Sequence, residues 1–333
     1  MKIEVLGGCG EYGRNCFYVE INNEAILFDC GIMNDSSQAL PDITIKHVQK
    51  IRAVFISHLH KDHIGALKFL KELGFQGPVY LSRPTYEWVK KDTLSLDYKI
   101  IDVSLDSWQN VDKDLSFSCG YSGHVIGSVW FSVRFNGALI FYSGDATYES
   151  TIHDCQMPPQ YEYDLAFIDS GDFGKHINNE KSLSAMAIIV NRKKNCGIKS
   201  RLTAKTIETL GYLNRYTNAE LVLDTEIASW LKFYASQNSY LSEDGKKIVE
   251  ELMSSQKVYV NRFDIEGVHF ISEKNRTYKF MNEKELNSIP FKSHLDTHEV
   301  YFLSNYLNAT RTVYFHNELL NEYTNLRKKG VFI

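Results

Sequence analysis

The chain has 333 residues and a mass of 38.3 kDa, a length that fits two domains or one large domain carrying an insertion. Its 37 Lys+Arg against 41 Asp+Glu give a net charge of -4, which excludes the chain-wide basic field of a histone-like protein. With 44% hydrophobic and 23% charged residues, the composition excludes disorder and predicts a globular protein with a large core.

Cysteine usage and apolar runs limit the expected cellular setting. The six cysteines form no C-x-x-C pair, so a zinc ribbon is unsupported, and their places in apolar stretches predict buried free thiols. The N-terminal MKIEVLGGCG reaches glycine too early for the apolar core of a signal peptide, and no run approaches the roughly 18 apolar residues of a membrane span. We therefore expect a cytoplasmic protein with no membrane partner.

Four strands are predicted in the first 56 residues, and the fourth leads into a histidine cluster. Short β-rich runs separated by glycine and asparagine turns occupy residues 2–6, 16–21 and 25–29. The fourth run, 53–56, is wholly apolar, which predicts burial on both faces. Apolar residues then recur at helical spacing over residues 64–73. The histidines in between are therefore predicted on a strand-to-helix loop.

A second β-rich block follows. Strands are predicted at 115–118, 128–135, 138–143 and 165–168. The Asn136-Gly137 pair between the second and third of these strands is the strongest type of hairpin signal. The last two strands lead to Asp145 and Asp169. Polar residues at the ends of buried strands are where layered α/β folds build their sites.

The character of the sequence changes between residues 175 and 292. This stretch has 19 Lys+Arg against 14 Asp+Glu, a net of +5, so the remaining 18 against 27 give -9 elsewhere. Helical patterning at 205–216 and 226–235, with a strand at 220–223, is followed by less regular polar sequence after residue 236. The stretch is predicted to be an inserted domain, after which strand-like sequence resumes, including 312–315.

The strongest motif is H-x-H-x-D-H at residues 58–63. His58 and His60 can point the same way from an extended backbone, while Asp62 and His63 begin the next element and aim at a point nearby. Imidazole nitrogen and carboxylate oxygen are good zinc ligands, and this geometry can supply two neighbouring metals. The motif predicts a metal site.

Two residues from the second β-rich block are candidate partners for this motif. His124 lies in S-G-H-V-I-G, where glycines let the backbone approach a ligand closely. Asp145 follows an apolar strand, and its two oxygens could bridge two metals. Alone, such residues are usually a solvated histidine and a helix cap. Together with the histidine motif, both are predicted to be metal ligands.

These motifs resemble the metallo-β-lactamase superfamily, whose fold is an αββα sandwich with a one- or two-zinc site at one sheet edge. The resemblance covers about residues 1–175. It implies a first zinc held by His58, His60 and His124. It implies a second zinc held by Asp62, His63, Asp145 and one histidine from further along the chain.

Downstream motifs resemble the β-CASP nuclease branch of that superfamily. Residues 165–174 resemble its acidic motif, with Asp169 in the acidic position. Residues 289–296 resemble its S-A-H-A-D segment, which contains His294, and residues 313–318 resemble a strand ending in H-G-E. His316 is then the last zinc ligand. The opening G-G-C-G-E-Y-G-R-N is similar to ribonuclease J and to the pre-mRNA 3′-end processing endonuclease.

The resemblance to the β-CASP branch implies a two-domain architecture. We expect an α/β protein in which residues 1–174 and 293–333 form the metallo-β-lactamase sandwich and residues 175–292 form a smaller inserted α/β domain of β-CASP type. Only 125 positions separate Asp169 from His294, so the inserted domain is expected to be a shortened one.

The resemblance and the chemistry of the ligands imply a hydrolase. Two zinc ions, or manganese in the same ligands, lower the pKa of a shared water to near 7, so that a hydroxide can attack phosphorus. His294 is predicted to supply the leaving group with a proton, and Asp169 to orient His294 or a zinc-bound histidine. Asp62 is chiefly a ligand that could also hold the hydroxide.

The expected partner is RNA or single-stranded DNA, cleaved internally or from an end, and a homodimer is left open. Candidate phosphate contacts are Arg192, Lys193, Lys194, Lys199, Arg201 and His176, which could equally be an ordinary solvated surface. Two alternatives remain. The first is hydrolysis of a small substrate such as a cyclic nucleotide, lactone or thioester, because fold does not fix the substrate. The second is a non-catalytic nucleic-acid-binding subunit.

Overall fold

The computed structural model describes residues 1–33, 39–90, 95–104, 107–193, 195–272 and 289–317. The chain divides into two compact units. Among the described residues, the first unit comprises those within 1–148, 155–175 and 294–317, and the second comprises those within 149–154 and 176–293. The sequence gives no sign that residues 149–154 join the second unit. The identification of that unit as β-CASP-like stays a prediction.

The first unit contains two six-stranded sheets. One sheet has the order β1-β2-β3-β4-β5-β6, formed by Lys2–Gly7, Cys16–Ile21, Glu24–Phe28, Ile51–Phe55, Pro78–Leu81 and Asp97–Ile100. The other contains, in chain order, β7 to β11 at Gln109–Asn110, Leu115–Tyr121, Val129–Phe135, Ala138–Tyr142 and Leu165–Asp169, and lastly β16 at Thr312–Phe315. Its order in space is β16-β11-β10-β9-β8-β7. The strands β3 to β6 are mutually parallel, and so are β10, β11 and β16.

Alternating apolar residues hold the two sheets face to face. Phe28 of the first sheet packs on Tyr142 of the second, with ring centroids 5.0 Å apart. Phe55 likewise lies 5.4 Å from both Phe117 and Phe131. All five rings are buried in one cluster, as expected for inward-facing positions of period two. The core of this unit therefore lies between its sheets.

Helices cover the outer face of each sheet. The helices α1 to α4 span Ile45–Val48, Lys61–Ile64, Leu67–Glu72 and Arg83–Val89, and they contribute to the core on the outer face of the first sheet. The helix α9, Thr297–Leu307, packs on the second sheet through Val300, Leu303 and Leu307. The predicted αββα sandwich is confirmed.

One helix predicted after the histidine motif is in fact two short ones. The pattern over residues 64–73 predicts a continuous helix, yet α2 ends at Ile64 and α3 begins at Leu67. The backbone amide of Ala66 donates to the carbonyl of Cys30 at 2.9 Å instead of to the preceding turn. This long-range hydrogen bond breaks the helical ladder.

The second unit is a four-stranded parallel sheet with helices. The strands β12 to β15 are Cys196–Ser200, Leu221–Leu223, Val258–Val260 and Val268–Ser272, in the spatial order β12-β15-β13-β14. The helices α5 to α8 are Asn179–Arg192, Ala204–Tyr216, Thr225–Ser236 and Glu243–Ser254. The prediction of irregular structure after residue 236 is wrong, because Ser242 caps α8 and Ile248, Val249 and Leu252 bury its narrow apolar face.

The thiols and the apolar segments agree in part with expectation. All six cysteines are free, and Cys16, Cys30 and Cys119 are buried while the other three are partly exposed. Among the described residues, no helix combines the length and the apolar character that crossing a membrane requires.

Candidate metal centre

Strand ends of both sheets carry the polar residues of the candidate centre. His58 follows β4, and Asp145 follows β10. Asp169 is the last residue of β11, and His316 comes directly after β16. Because β10, β11 and β16 are parallel neighbours, their carboxyl ends meet at one edge.

The structure brings His58, His60, His124 and Asp145 together as a first ligand set. His58 Nε2 and His124 Nε2 lie 3.0 and 3.2 Å from His60 Nδ1. The same two nitrogens lie 3.7 and 3.6 Å from Asp145 Oδ2. The three histidines predicted to share one metal therefore converge on a single point beside one oxygen of Asp145.

A second set contains Asp62, His63, Asp145 and His316. His63 Nε2 lies 3.6 Å from Asp62 Oδ2 and 3.2 Å from Asp145 Oδ1. His316 Nδ1 lies 3.6 Å from that same Asp145 oxygen. The two oxygens of Asp145 thus point to different sets, which is the arrangement of a carboxylate that bridges two cations.

The donor atoms suit a pair of divalent metals. In each set the four candidate ligand atoms lie within 4.8 Å of one another. Asp145 Oδ1 and His316 Nδ1 are buried and have no hydrogen-bond partner within the part of the chain that the structure describes. Buried polar atoms are normally satisfied, so these two atoms indicate a missing ligand. Nitrogen and carboxylate donors are those that zinc takes, and manganese is compatible with them.

The electrostatics of the centre are those of closely packed opposite charges. Burial lowers the pKa of His63, but nearby carboxylates, led by Asp145, outweigh it and hold that pKa well above its ordinary value. Burial raises the pKa of Asp145, but the neighbouring imidazoles, led by His63, hold it well below its usual range. Burial and His63 hold the pKa of His58 well below its usual value. His58 is therefore neutral at pH 7 and able to ligate metal.

Asp29 is a functional candidate that the sequence reasoning missed. It is fully buried after β3, at a left-handed φ of 54°. Its Oδ1 accepts the Ser57 amide at 2.7 Å, and its Oδ2 lies 2.6 Å from His63 Nδ1. Oδ2 also accepts the hydroxyls of Ser57 and Tyr142. Asp29 thereby holds a proton of His63 on Nδ1, so Nε2 is the nitrogen that would ligate a metal.

A signal for Asp29 exists in the sequence. It directly follows the apolar strand β3, and it stands two positions before Gly31. A Cβ on Gly31 would lie 1.7 Å from the Asp62 carbonyl oxygen, so only glycine permits this close approach to the histidine motif. Asn15 supports the same segment, because its Nδ2 donates to the Asp62 carbonyl at 3.2 Å.

His294 and Asp169 lie beside the two ligand sets. Asp169 is fully buried, and its Oδ2 lies 3.1 Å from His294 Nδ1 and accepts the Ala146 amide at 3.0 Å. Burial lowers the pKa of His294, but Asp169 and Asp145 outweigh it and raise that pKa to about 9. A Cβ on Gly171 would lie 2.6 Å from His294 Cγ, so glycine is needed there. Asp145, Asp169 and His294 also form a third group able to hold a metal.

The predicted phosphate contacts lie in the second unit. Arg192, Lys193, Lys199, Arg201 and His176 are exposed there, and Lys194 lies outside the described residues. Their part in substrate binding stays a prediction.

Comparisons with known proteins find a matching family model and similar chains. The model of the "Metallo-beta-lactamase superfamily" matches residues 9–154. The chain is 32% identical over 176 residues to "Integrator complex subunit 11 homolog" of Dictyostelium discoideum, covering 44% of this chain and 24% of that one. It is 30% identical over 210 residues to "Cleavage and polyadenylation specificity factor 73" of Drosophila melanogaster, covering 54% and 30%. The chain thus spans less than a third of these relatives' lengths.

A solved structure has the same fold over nearly the whole chain. A protein of unknown function from Enterococcus faecalis V583 superposes with a TM-score of 0.60, covering 95% of this chain and 94% of that one. Its sequence is 13% identical, so the likeness concerns the fold alone.

Proposed function

Because residues 9–154 place the chain in the metallo-β-lactamase superfamily, we propose that it is a metal-dependent hydrolase that cleaves the phosphodiester bonds of RNA or single-stranded DNA. The superfamily predicted from the motifs is confirmed, and the two relatives agree with the β-CASP branch. The observation that carries the proposal is the carboxylate of Asp145, which directs one oxygen to each of two four-residue ligand sets.

Two divalent metals, zinc in our proposal, would be held by these sets with Asp145 between them. Such a pair supplies a Lewis acid for a phosphoryl oxygen and lowers the pKa of a bound water to near 7. The protein fixes the geometry of the ligands. Asp29 hydrogen-bonds Nδ1 of His63, and Asn15 donates to the backbone carbonyl of Asp62. Asp62 is the partly exposed member of the second set, whose other three members are buried.

His294 is proposed to donate a proton to the leaving oxygen. Asp169 fixes Nδ1 of its ring at 3.1 Å, and the Asp172 carboxylate accepts its backbone amide at 3.0 Å. With the backbone and Nδ1 of the ring both fixed, the ring keeps its orientation during the reaction, which general acid catalysis requires. We expect His294→Ala to abolish phosphodiesterase activity while both metals stay bound. Full metal content with unchanged turnover would remove this role.

The nucleic-acid substrate is supported by charge and by the relatives. Residues 175–292 carry a net charge of +5, which favours contact with phosphates. One relative bears the name of a cleavage and polyadenylation factor, and the other that of an Integrator subunit. The cytoplasmic location and the homodimer stay predictions.

A three-substrate assay tests the proposal. Metal-loaded protein is incubated with end-labelled RNA, end-labelled single-stranded DNA and bis(p-nitrophenyl) phosphate, and bound metal is counted by mass spectrometry. We expect two metals per chain and shortened nucleic acid. Asp145→Asn should lose both properties, whereas the matched variant Asp97→Asn, an exposed residue of β6, should keep them. Cleavage of the ester alone indicates a small-substrate hydrolase, and binding without cleavage indicates a non-catalytic subunit.

A further inference from the structure

Tyr12 is an exposed aromatic residue beside the candidate metal centre. Its side chain is 44% exposed, and its ring centroid lies 5.6 Å from that of His316, with the ring planes at 74°. The His316 ring in turn lies 4.5 Å from the His294 ring, nearly parallel to it at 27°. Tyr12 therefore contacts the proposed ligand His316 edge-on. Only the His316 ring lies between Tyr12 and the proposed proton donor His294.

The loop that presents Tyr12 is held rigidly. Glu11 Oε1 accepts the Gly8 amide at 3.0 Å and the Arg14 guanidinium at 2.7 Å, so it ties the two ends of the loop together. The amide of His316 donates to the Gly8 carbonyl at 2.8 Å, which fixes the loop to the end of β16. A tyrosine on such a loop loses little conformational freedom when it binds a ligand.

The contacts of Tyr12 do not account for its position. Tyr12 belongs to none of the three buried apolar clusters described for the first unit, and its hydroxyl makes no hydrogen bond within the described part of the chain. Lys175 supplies a cation near the proposed proton donor, because its Nζ pairs with Asp172 at 2.9 Å and the same carboxylate accepts the His294 amide at 3.0 Å. An exposed ring and a lysine beside a metal centre are the two components with which proteins hold a single strand.

We propose that Tyr12 stacks on an unpaired nucleobase adjacent to the scissile phosphate. The inference rests on the proposed function. It adds that the first unit recognises an unpaired base of the substrate. The stacking ring recognises any base, since every base has an aromatic face. The site therefore selects unpaired over paired strands and is tolerant of sequence.

The experiment removes the ring and the base separately. The proteins are wild type, Tyr12→Ala, Tyr12→Phe and the matched control Tyr216→Ala, which alters a 64% exposed tyrosine of α6 in the second unit. The substrates are one RNA 12-mer and a set in which an abasic ribose occupies each position in turn. Thermal melting establishes that each variant is folded. For each combination, kcat/KM is measured with metal, and Kd is measured by fluorescence anisotropy in EDTA.

Stacking by Tyr12 predicts a coupled loss. Wild type should show one position beside the cleaved bond at which an abasic residue lowers kcat/KM by about 5- to 150-fold, the range expected for one stacked base. Tyr12→Ala should lose the same factor on intact RNA and show no further loss at that position. Tyr12→Phe and Tyr216→Ala should behave as wild type. Tyr12→Ala should still bind two metals, and it should cleave the RNA with the abasic residue at that position as fast as wild type does.

Other outcomes overturn the inference. If the abasic penalty persists in Tyr12→Ala, another group holds the base. If Tyr12→Ala binds fewer metals than wild type, the ring merely supports His316. If wild type cleaves no RNA of the set, the proposed function fails, and the anisotropy series still decides whether Tyr12 and one base are coupled in binding.

Discussion

Replacing Asp29 by asparagine should weaken the binding of one metal, although Asp29 is not itself a proposed metal ligand. The substitution keeps the shape of the side chain, so Oδ1 can still accept the Ser57 amide at 2.7 Å. The new Nδ2 then faces His63 Nδ1, which lies 2.6 Å from the present oxygen. Because an amide nitrogen can only donate, it favours the tautomer in which His63 carries its proton on Nε2. That proton would occupy the nitrogen that is proposed to ligate the second metal.

The expected loss of metal affinity can be taken from other proteins in which a hydrogen-bonding partner of a metal ligand is removed. Loss of a group that orients a ligand typically weakens metal affinity by roughly 10- to 100-fold. The loss should be confined to the second metal, because the first set contains no atom that Asp29 contacts directly. Titration against a competing chelator, followed by mass spectrometry of the bound metal, resolves the two affinities.

Tyr142→Phe provides a matched control for Asp29→Asn. It removes one donor to Asp29 and leaves the His63 tautomer as it is, so we expect a smaller loss of affinity for the second metal. The pair separates a tautomer effect from a general weakening of the buried network. A folded Asp29→Asn protein that binds two metals with wild-type affinities would refute the reasoning.

Three further predictions concern the bridge, the proton donor and the second unit. Asp145→Asn should lower the affinity for both metals, whereas His316→Ala should lower only the stoichiometry, from two to one, by mass spectrometry. Gly171→Ala should displace the proposed donor ring and reduce kcat by about 100-fold with metal content unchanged. Burial lowers the pKa of His153 to about 3, so the unfolded state binds more protons than the folded state between pH 6.5 and pH 3. Stability should thus fall by about 2 kcal/mol from pH 7.5 to pH 5, and urea unfolding of His153→Gln should show less of this loss.

Local patterns in the sequence predicted the features that depend on local chemistry. The histidine motif follows a wholly apolar strand, and residues 51–55 indeed form β4 within a parallel part of the sheet. The Asn136-Gly137 turn joins β9 to β10, with both residues at positive φ as a hairpin of this type requires. These signals need only a few neighbouring residues, so one sequence is enough to recognise them.

Features that depend on distant partners were missed. Asp29 acquires its role only when β3 pairs with β4, which brings it against Ser57, 28 positions away. Residues 149–154 join the second unit because the buried carboxylate of Glu208 accepts the Ser150 hydroxyl and the Thr151 amide, both at 2.9 Å. Neither contact leaves a periodic pattern, so sequence spacing alone does not reveal it.

The two ligand sets differ in how much of the chain they need. All members of the first set lie on one continuous stretch of the chain, between residues 58 and 145. The second set includes His316, which follows the inserted unit in the chain. The pairing of β16 with β11 sets its position. His294 precedes that strand by way of α9, whose capping box at Asp296 sets where the helix begins. The proposed proton donor and the last ligand are therefore positioned by the same C-terminal segment. On this topology, the second metal site and the proposed proton donor both depend on the placement of that segment.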